Sequence, residues 1–103
     1  MKHFLIKYRV KDGLQEQRHQ EILRFIAALD GDPALRGKIS YRCMKVRESS
    51  DYYHLVAAAD DAVPTLQSRE FFSRYTAETE LAADGEVEVL PLEIVAETAA
   101  PAA

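Results

Sequence analysis

Tryptophan is absent from this chain of 103 residues, cysteine occurs once, and glycine and proline occur four times each. A single cysteine, Cys43, excludes an internal disulfide and suits a reducing compartment. Four scattered glycines exclude a glycine-rich phosphate loop. Positive charge is also short. Thirteen Lys and Arg against seventeen Asp and Glu leave a formal net charge of −4, the wrong sign for nucleic acid or an anionic membrane. No apolar run approaches membrane-spanning length, and Met1 to Phe4 lead straight into strand-like sequence with no apolar leader or cleavage site. These absences predict a cytoplasmic protein with neither nucleic-acid nor membrane partners. His, Cys and carboxylates nowhere cluster at ligand spacing, so no metal site is predicted.

What is present is a 48 % hydrophobic chain of one-domain size. Its organising stretch is Asp51 to Asp60, DYYHLVAAAD. This short run is apolar on both flanks and bounded by polar turns, the pattern of a strand buried on both faces. One imidazole, His54, interrupts it. An earlier strand, His3 to Val10, puts Phe4, Ile6, Tyr8 and Val10 on one face and His3, Leu5, Lys7 and Arg9 on the other. After the Lys11-Asp12-Gly13 turn, Asp12 suits an N-cap with Gln15 as its capping-box partner. A helix then runs to about Leu29. Ile22, Phe25, Ile26 and Leu29 form its buried stripe, and Gln17, Arg18, Gln20, Glu21 and Arg24 form its wet side. Gly31 suits a left-handed cap and Pro33 prevents continuation.

Ile39 to Glu48 reads as a strand with neither face clean, as at a sheet edge. Ser49-Ser50-Asp51 turns it into a hairpin with the next strand. Asp60-Asp61 and then Ser68 offer two successive N-caps, so the helical sequence that ends near Ala83 should break near Gln67. Glu86 to Val95 is a fourth strand, and Pro91 within it requires an edge or a bulge. The order β-α-β-β-α-β predicts an α+β, ferredoxin-like fold, a four-stranded antiparallel sheet with two helices on one face. Residues 1–96 form the domain and 97–103 a tail. The third and fourth strands are apolar on both sides, and two helices cover only one face. A second copy packed sheet to sheet is therefore expected, giving a homodimer.

Val10 to Gly13 (V-K-D-G), Ser68 to Phe72 (S-R-E-F-F) and Val87 to Leu92 (V-E-V-L-P-L), in this order of elements, resemble the antibiotic biosynthesis monooxygenase (ABM) family of the dimeric α/β-barrel superfamily. The likeness spans His3 to Val95. It implies a homodimeric barrel with a small-molecule pocket between sheet and helices in each subunit. It also implies oxygenase activity on small aromatic or polyketide-like compounds without metal or flavin, so no cofactor is expected. Some relatives degrade haem and many have no established role. Two departures stand out. Many active members carry a tryptophan on the third strand, where this chain has Ala57-Ala58-Ala59. The haem-ligating histidine of the haem-degrading branch falls, by spacing from Ser68, at Tyr75.

Several side chains suit such chemistry. His54, expected to titrate near neutrality, can take a proton from a phenol or enol. Its structural alternative is a hydrogen-bonded sheet histidine. Tyr52 shares its face and can orient a substrate or serve as a rim residue. Lys7 and Arg9 can hold a carboxylate or an enolate-like anion, or pair with Glu88 or Glu93. Tyr75 can bond a ligand or belong to the core beside Phe71 and Phe72. Cys43 has no base beside it and reads as inert. An oxygenase and a non-catalytic, homodimeric small-molecule-binding or structural barrel are both compatible with this set.

Overall fold

A computed structural model describes residues 1–99; the last four residues of the expected tail lie outside them. The elements are β1 (Lys2–Arg9), α1 (Gln15–Gly31), β2 (Ile39–Lys45), β3 (Asp51–Ala58), α2 (Ala62–Gln67), α3 (Glu70–Ala82) and β4 (Glu88–Leu92). The four strands form one antiparallel sheet in the order β2-β3-β1-β4. This is the expected ferredoxin-like arrangement, with helices on one face only. The expected break falls at Ser68 and Arg69, dividing the second helical region into α2 and α3. Pro91 lies opposite Phe4 in β4, an edge strand, where a missing N–H leaves the central ladder intact.

Alternation decides which side chains meet the helices. Tyr8 of β1, Val10 just beyond it, and Tyr52, His54 and Ala58 of β3 are buried on the covered face. Tyr8, Val10 and Tyr52 share one core with Ile22, Phe25 and Leu29 of α1, and with Leu66 and Tyr75 from the second helical region. The register sets Ile6 opposite His54 and His54 opposite Cys43, and Tyr8 opposite Tyr52. On β2, Tyr41 and Cys43 therefore face the helices, and Arg42 and Met44 face away.

Local details differ from the sequence expectation. Residue Leu14, not Asp12, occupies the α1 N-cap position, without a side-chain cap. Gln15 instead reaches across to Ser50 Oγ (3.1 Å) and accepts from Tyr52 Oη (3.1 Å). That tertiary use of the amide replaces the capping box. Gly13 takes the left-handed conformation (φ +82°) that ends β1 and starts the helix. Gly31 does not: it stays helical, and the chain leaves through extended Asp32. The Asp32 carboxylate accepts from the Ala34 N–H at 3.0 Å and from Arg69 at 2.8 Å. β2 and β4 are shorter than predicted, because no strand pairs with residues 46–48 or 93–95.

Candidate functional site

The wet side assigned to α1 is wrong at two residues. Arg18 is 0 % exposed and Glu21 is also buried. Arg18 lies four residues before Ile22 and seven before Phe25, in line with the buried stripe, so the helix inserts its guanidinium between sheet and helices. There Arg18 Nε donates to Tyr8 Oη at 2.9 Å, Nη1 to Glu21 Oε1 at 3.3 Å and Nη2 to Thr79 Oγ1 at 2.7 Å. Its Cζ lies 4.6 Å from the centre of the Tyr75 ring. The opposite stacking partner of that ring is Phe25, with centroids 3.8 Å apart and planes 4° from parallel. A buried guanidinium is tolerable because a carboxylate, two hydroxyls and an aromatic face replace its water.

His54 stands at the centre of this cluster. It is 1 % exposed. Its Nε2 meets Tyr8 Oη at 2.9 Å and its Nδ1 meets Tyr41 Oη at 2.6 Å. Tyr41 Oη lies 3.2 Å from Tyr75 Oη, which is 3.5 Å from His54 Nδ1. An imidazole, three phenols and a guanidinium are thus joined by hydrogen bonds. Burial, and then the Arg18 charge, press the His54 pKa down to about 3. The expectation of titration near neutrality is corrected accordingly: the ring is neutral throughout the physiological range. Both nitrogens meet tyrosine hydroxyls, the hydrogen-bonded state that the structural alternative expected. Burial pushes Tyr75 up to about 12, Arg18 opposing. Tyr8 and Tyr41 are raised further by the same desolvation, so all three phenols keep their hydrogens.

Tyr52 shares the His54 face, as expected. It stacks on Tyr8 with centroids 5.8 Å apart, and its hydroxyl lies 2.6 Å from His19 Nε2. Tyr75 joins His54 directly. Lys7 and Arg9 do not join it. They project from the opposite face, Lys7 to Glu88 at 3.3 Å and Arg9 to Asp51 at 3.0 Å. Both line a cleft of about 340 Å³ whose other charged walls are Asp51, Asp84, Glu86 and Glu88. Carboxylates outnumber cations there, so the cleft does not favour an anion. Their place away from the helices is the one the β1 alternation predicts, and Lys7 makes the expected pair with Glu88, whereas Arg9 pairs with Asp51 in place of Glu88 or Glu93. A second cleft, about 290 Å³, opens between α1 and β2 and is lined by His19, Ile22, Cys43 and Tyr52 among others. Neither cleft includes His54 or Tyr75 in its lining. Cys43 is half-buried on that wall, and burial raises its thiol pKa to about 11.

Among the described residues, no group of three or more His, Cys, Asp and Glu side chains is placed to hold a metal ion, and no helix is long and apolar enough to cross a membrane. Sequence reading missed Arg18, Glu21, Tyr8, Tyr41 and Thr79 as members of the cluster. The available signal was spacing, since Arg18, Ile22, Phe25 and Leu29 follow intervals of four, three and four.

No family model matches the sequence, and no curated protein sequence does. Solved structures do match. One described as an antibiotic biosynthesis monooxygenase superposes with a TM-score of 0.76 at 11 % identity, over 93 % of this chain and 100 % of its own. PA3566 from Pseudomonas aeruginosa is 19 % identical over 92 % of this chain and 94 % of its own, with a TM-score of 0.71. SnoaB from Streptomyces nogalater, described as a cofactor-independent oxygenase, is 13 % identical over 96 % and 97 %, with a TM-score of 0.73. At these identities the likeness establishes the fold, and this chain has the ABM-like fold that its motifs resemble.

Proposed function

We propose that this chain is a cytoplasmic, homodimeric, ABM-like oxygenase that oxidises a small aromatic or polyketide-like compound with molecular oxygen, without metal or flavin. The observation that carries the reading is the meeting of His54, Tyr8, Tyr41, Tyr75 and Arg18 in the volume between sheet and helices, where the family resemblance implies a pocket. The description of SnoaB supports it. His54 works as a relay that takes a hydrogen at one nitrogen as it gives one from the other, since its low pKa disfavours a charged ring. Tyr75 and Tyr52 bind the substrate. Arg18 supplies the positive charge that the sequence reading had sought in Lys7 and Arg9. Enolising the substrate makes its ring electron-rich enough to react with oxygen. The open sheet face, where Leu5, Leu55, Leu90 and Leu92 lie together by register, supports the homodimer. Leu55, Leu90 and Leu92 are each at least 40 % exposed in the single chain.

Oxygen consumption with an anthrone-type substrate tests the reading. Replacement of His54 with alanine should lower turnover roughly 100-fold or more while the dimer persists; unchanged turnover removes the relay role. The full occupation of both His54 nitrogens and its 1 % exposure favour a second reading, a non-catalytic homodimeric barrel that binds a small molecule. That reading predicts ligand-induced melting shifts with no oxygen consumed.

A further inference from the structure

The hydrogen bonds around His54 contain more hydrogens than places to put them. The chain Arg18 Nε, Tyr8, His54, Tyr41, Tyr75 has four contacts in series. With the imidazole neutral, five hydrogens are available to it, one from each member. One hydroxyl hydrogen is therefore left over, on Tyr8, Tyr41 or Tyr75. The 3.5 Å contact between Tyr75 and His54 Nδ1 does not absorb it, because that nitrogen already serves Tyr41.

Three arrangements are possible. In one, Tyr8 gives its hydrogen to Nε2, Nδ1–H donates to Tyr41, Tyr41 donates to Tyr75, and the spare hydrogen is that of Tyr75. In another, the three bonds beyond Arg18 reverse, and Tyr8 must accept from both Arg18 and His54 while its own hydrogen finds nothing; in the third, Tyr41 accepts from both His54 Nδ1–H and Tyr75, and its own hydrogen is the spare one. Arg18 can only donate. Its charged donation polarises the Tyr8 hydroxyl and makes it a better donor to Nε2. Thr79 and Glu21 fix the guanidinium, which disfavours the second arrangement, and the polarisation passed on through Nδ1–H makes Tyr41 the better donor to Tyr75, which favours the first over the third.

We infer that Arg18 is a positioning residue that gives this chain one direction, so that Tyr75 Oη presents the spare hydrogen to an oxygen acceptor of the substrate, a carbonyl or enolate. The inference deepens the proposed function and rests on it for the identity of the acceptor; the direction of the chain does not depend on it. A buried donor without an acceptor is costly, and Tyr75 meets only Tyr41 and His54 among the described residues. A substrate oxygen there would be held by a donor backed by Arg18 through four hydrogen bonds.

Nitrogen-15 shifts of the His54 ring in the intact wild-type protein read the direction. The expected result is a single tautomer, hydrogen on Nδ1 and Nε2 bare, unchanged between about pH 7 and pH 5. Hydrogen on Nε2 overturns the inference, whatever the variants do. In Arg18→Met the two tautomers should mix, and Arg18→Lys, which keeps a charged donor, should restore the wild-type form. A folded Arg18→Met with the wild-type tautomer overturns the positioning role; should it not fold, the wild-type spectrum still decides the direction.

For the acceptor, anthrone and anthracene offer similar rings with and without a carbonyl. Tyr75→Phe should weaken anthrone binding about tenfold, the loss of one good hydrogen bond, and leave anthracene unchanged. Equal losses for both overturn the acceptor assignment. Failure of the wild-type protein to bind anthrone overturns the acceptor assignment and counts against the oxygenase reading, while the direction of the chain is judged by the tautomer alone.

Discussion

The two faces of one sheet have opposite chemistry. The helix-covered face holds an imidazole, three phenols and an Arg–Glu pair, and among the described residues no buried side-chain nitrogen or oxygen lacks a partner. The open face holds leucines in contact with water and two solvent-exposed ion pairs, Lys7–Glu88 and Arg9–Asp51. Polar groups are thus enclosed where hydrogen bonds can satisfy them, and apolar groups are left outside where only another surface can. Adjacent residues of β1 and β3 produce both, because parity alone sends Tyr8 inward and Lys7 outward, His54 inward and Leu55 outward. Stability of the single chain should therefore depend on the covered face and association on the open one.

The largest expected effect tests the open face. Leu55→Asp combined with Leu90→Asp should abolish dimerisation measured by sedimentation. Burial of a leucine is worth about 1.5–3 kcal/mol, and a two-fold dimer would lose four, roughly 8 kcal/mol. A wild-type chain that sediments as a monomer at micromolar concentration would end the comparison, since its open face would then need no partner.

On the covered face, Arg18→Met should cost roughly 3–5 kcal/mol in denaturant unfolding, because it leaves Glu21 charged and buried without its cation. A loss below about 1 kcal/mol would mean that the cluster is wetter than its burial indicates.

The same face should respond to acid. Unfolded His54 takes up a proton near pH 6.5, whereas folded His54 resists until about pH 3. Protonation therefore favours the unfolded chain. Stability is fully present above pH 6.5 and falls as the pH drops toward 3, by up to about 1.4 kcal/mol per unit. His54→Gln should flatten this limb in urea titrations at pH 6, 5 and 4.

The smallest effect belongs to the exposed pairs. Lys7→Ala and Arg9→Ala should each change stability by less than about 1 kcal/mol, with a further decrease in salt. Turnover should not change either; a tenfold loss would restore these cations to the site.

Much of this architecture was legible. The β1 alternation and the helix break near Gln67 each follow from a local rule, and Pro91 left only an edge or a bulge, of which the strand order selects the edge. The open apolar face followed from counting covered surfaces. The cluster was harder to read because residue type opposed position. Arg18 sits on the buried stripe of α1, and charge outweighed spacing in its assignment. β2 alternates between two mixed faces, so nothing in its sequence says that Tyr41 points inward; pairing with His54 through Cys43 decides it. Tyr75 and His54 were identified singly, whereas their partnership depends on a stretch of chain folding back across a separation of 21 positions.

The half-buried thiol beside the α1–β2 cleft offers a practical handle. With its pKa near 11 instead of 9, Cys43 should be alkylated on the order of a hundredfold more slowly than a free cysteine at neutral pH, because so little thiolate is present. Unfolding would remove that protection. As the sole sulfhydryl in the chain, it can act as a native reporter whose labelling rate follows transient opening of the edge strand without any introduced probe.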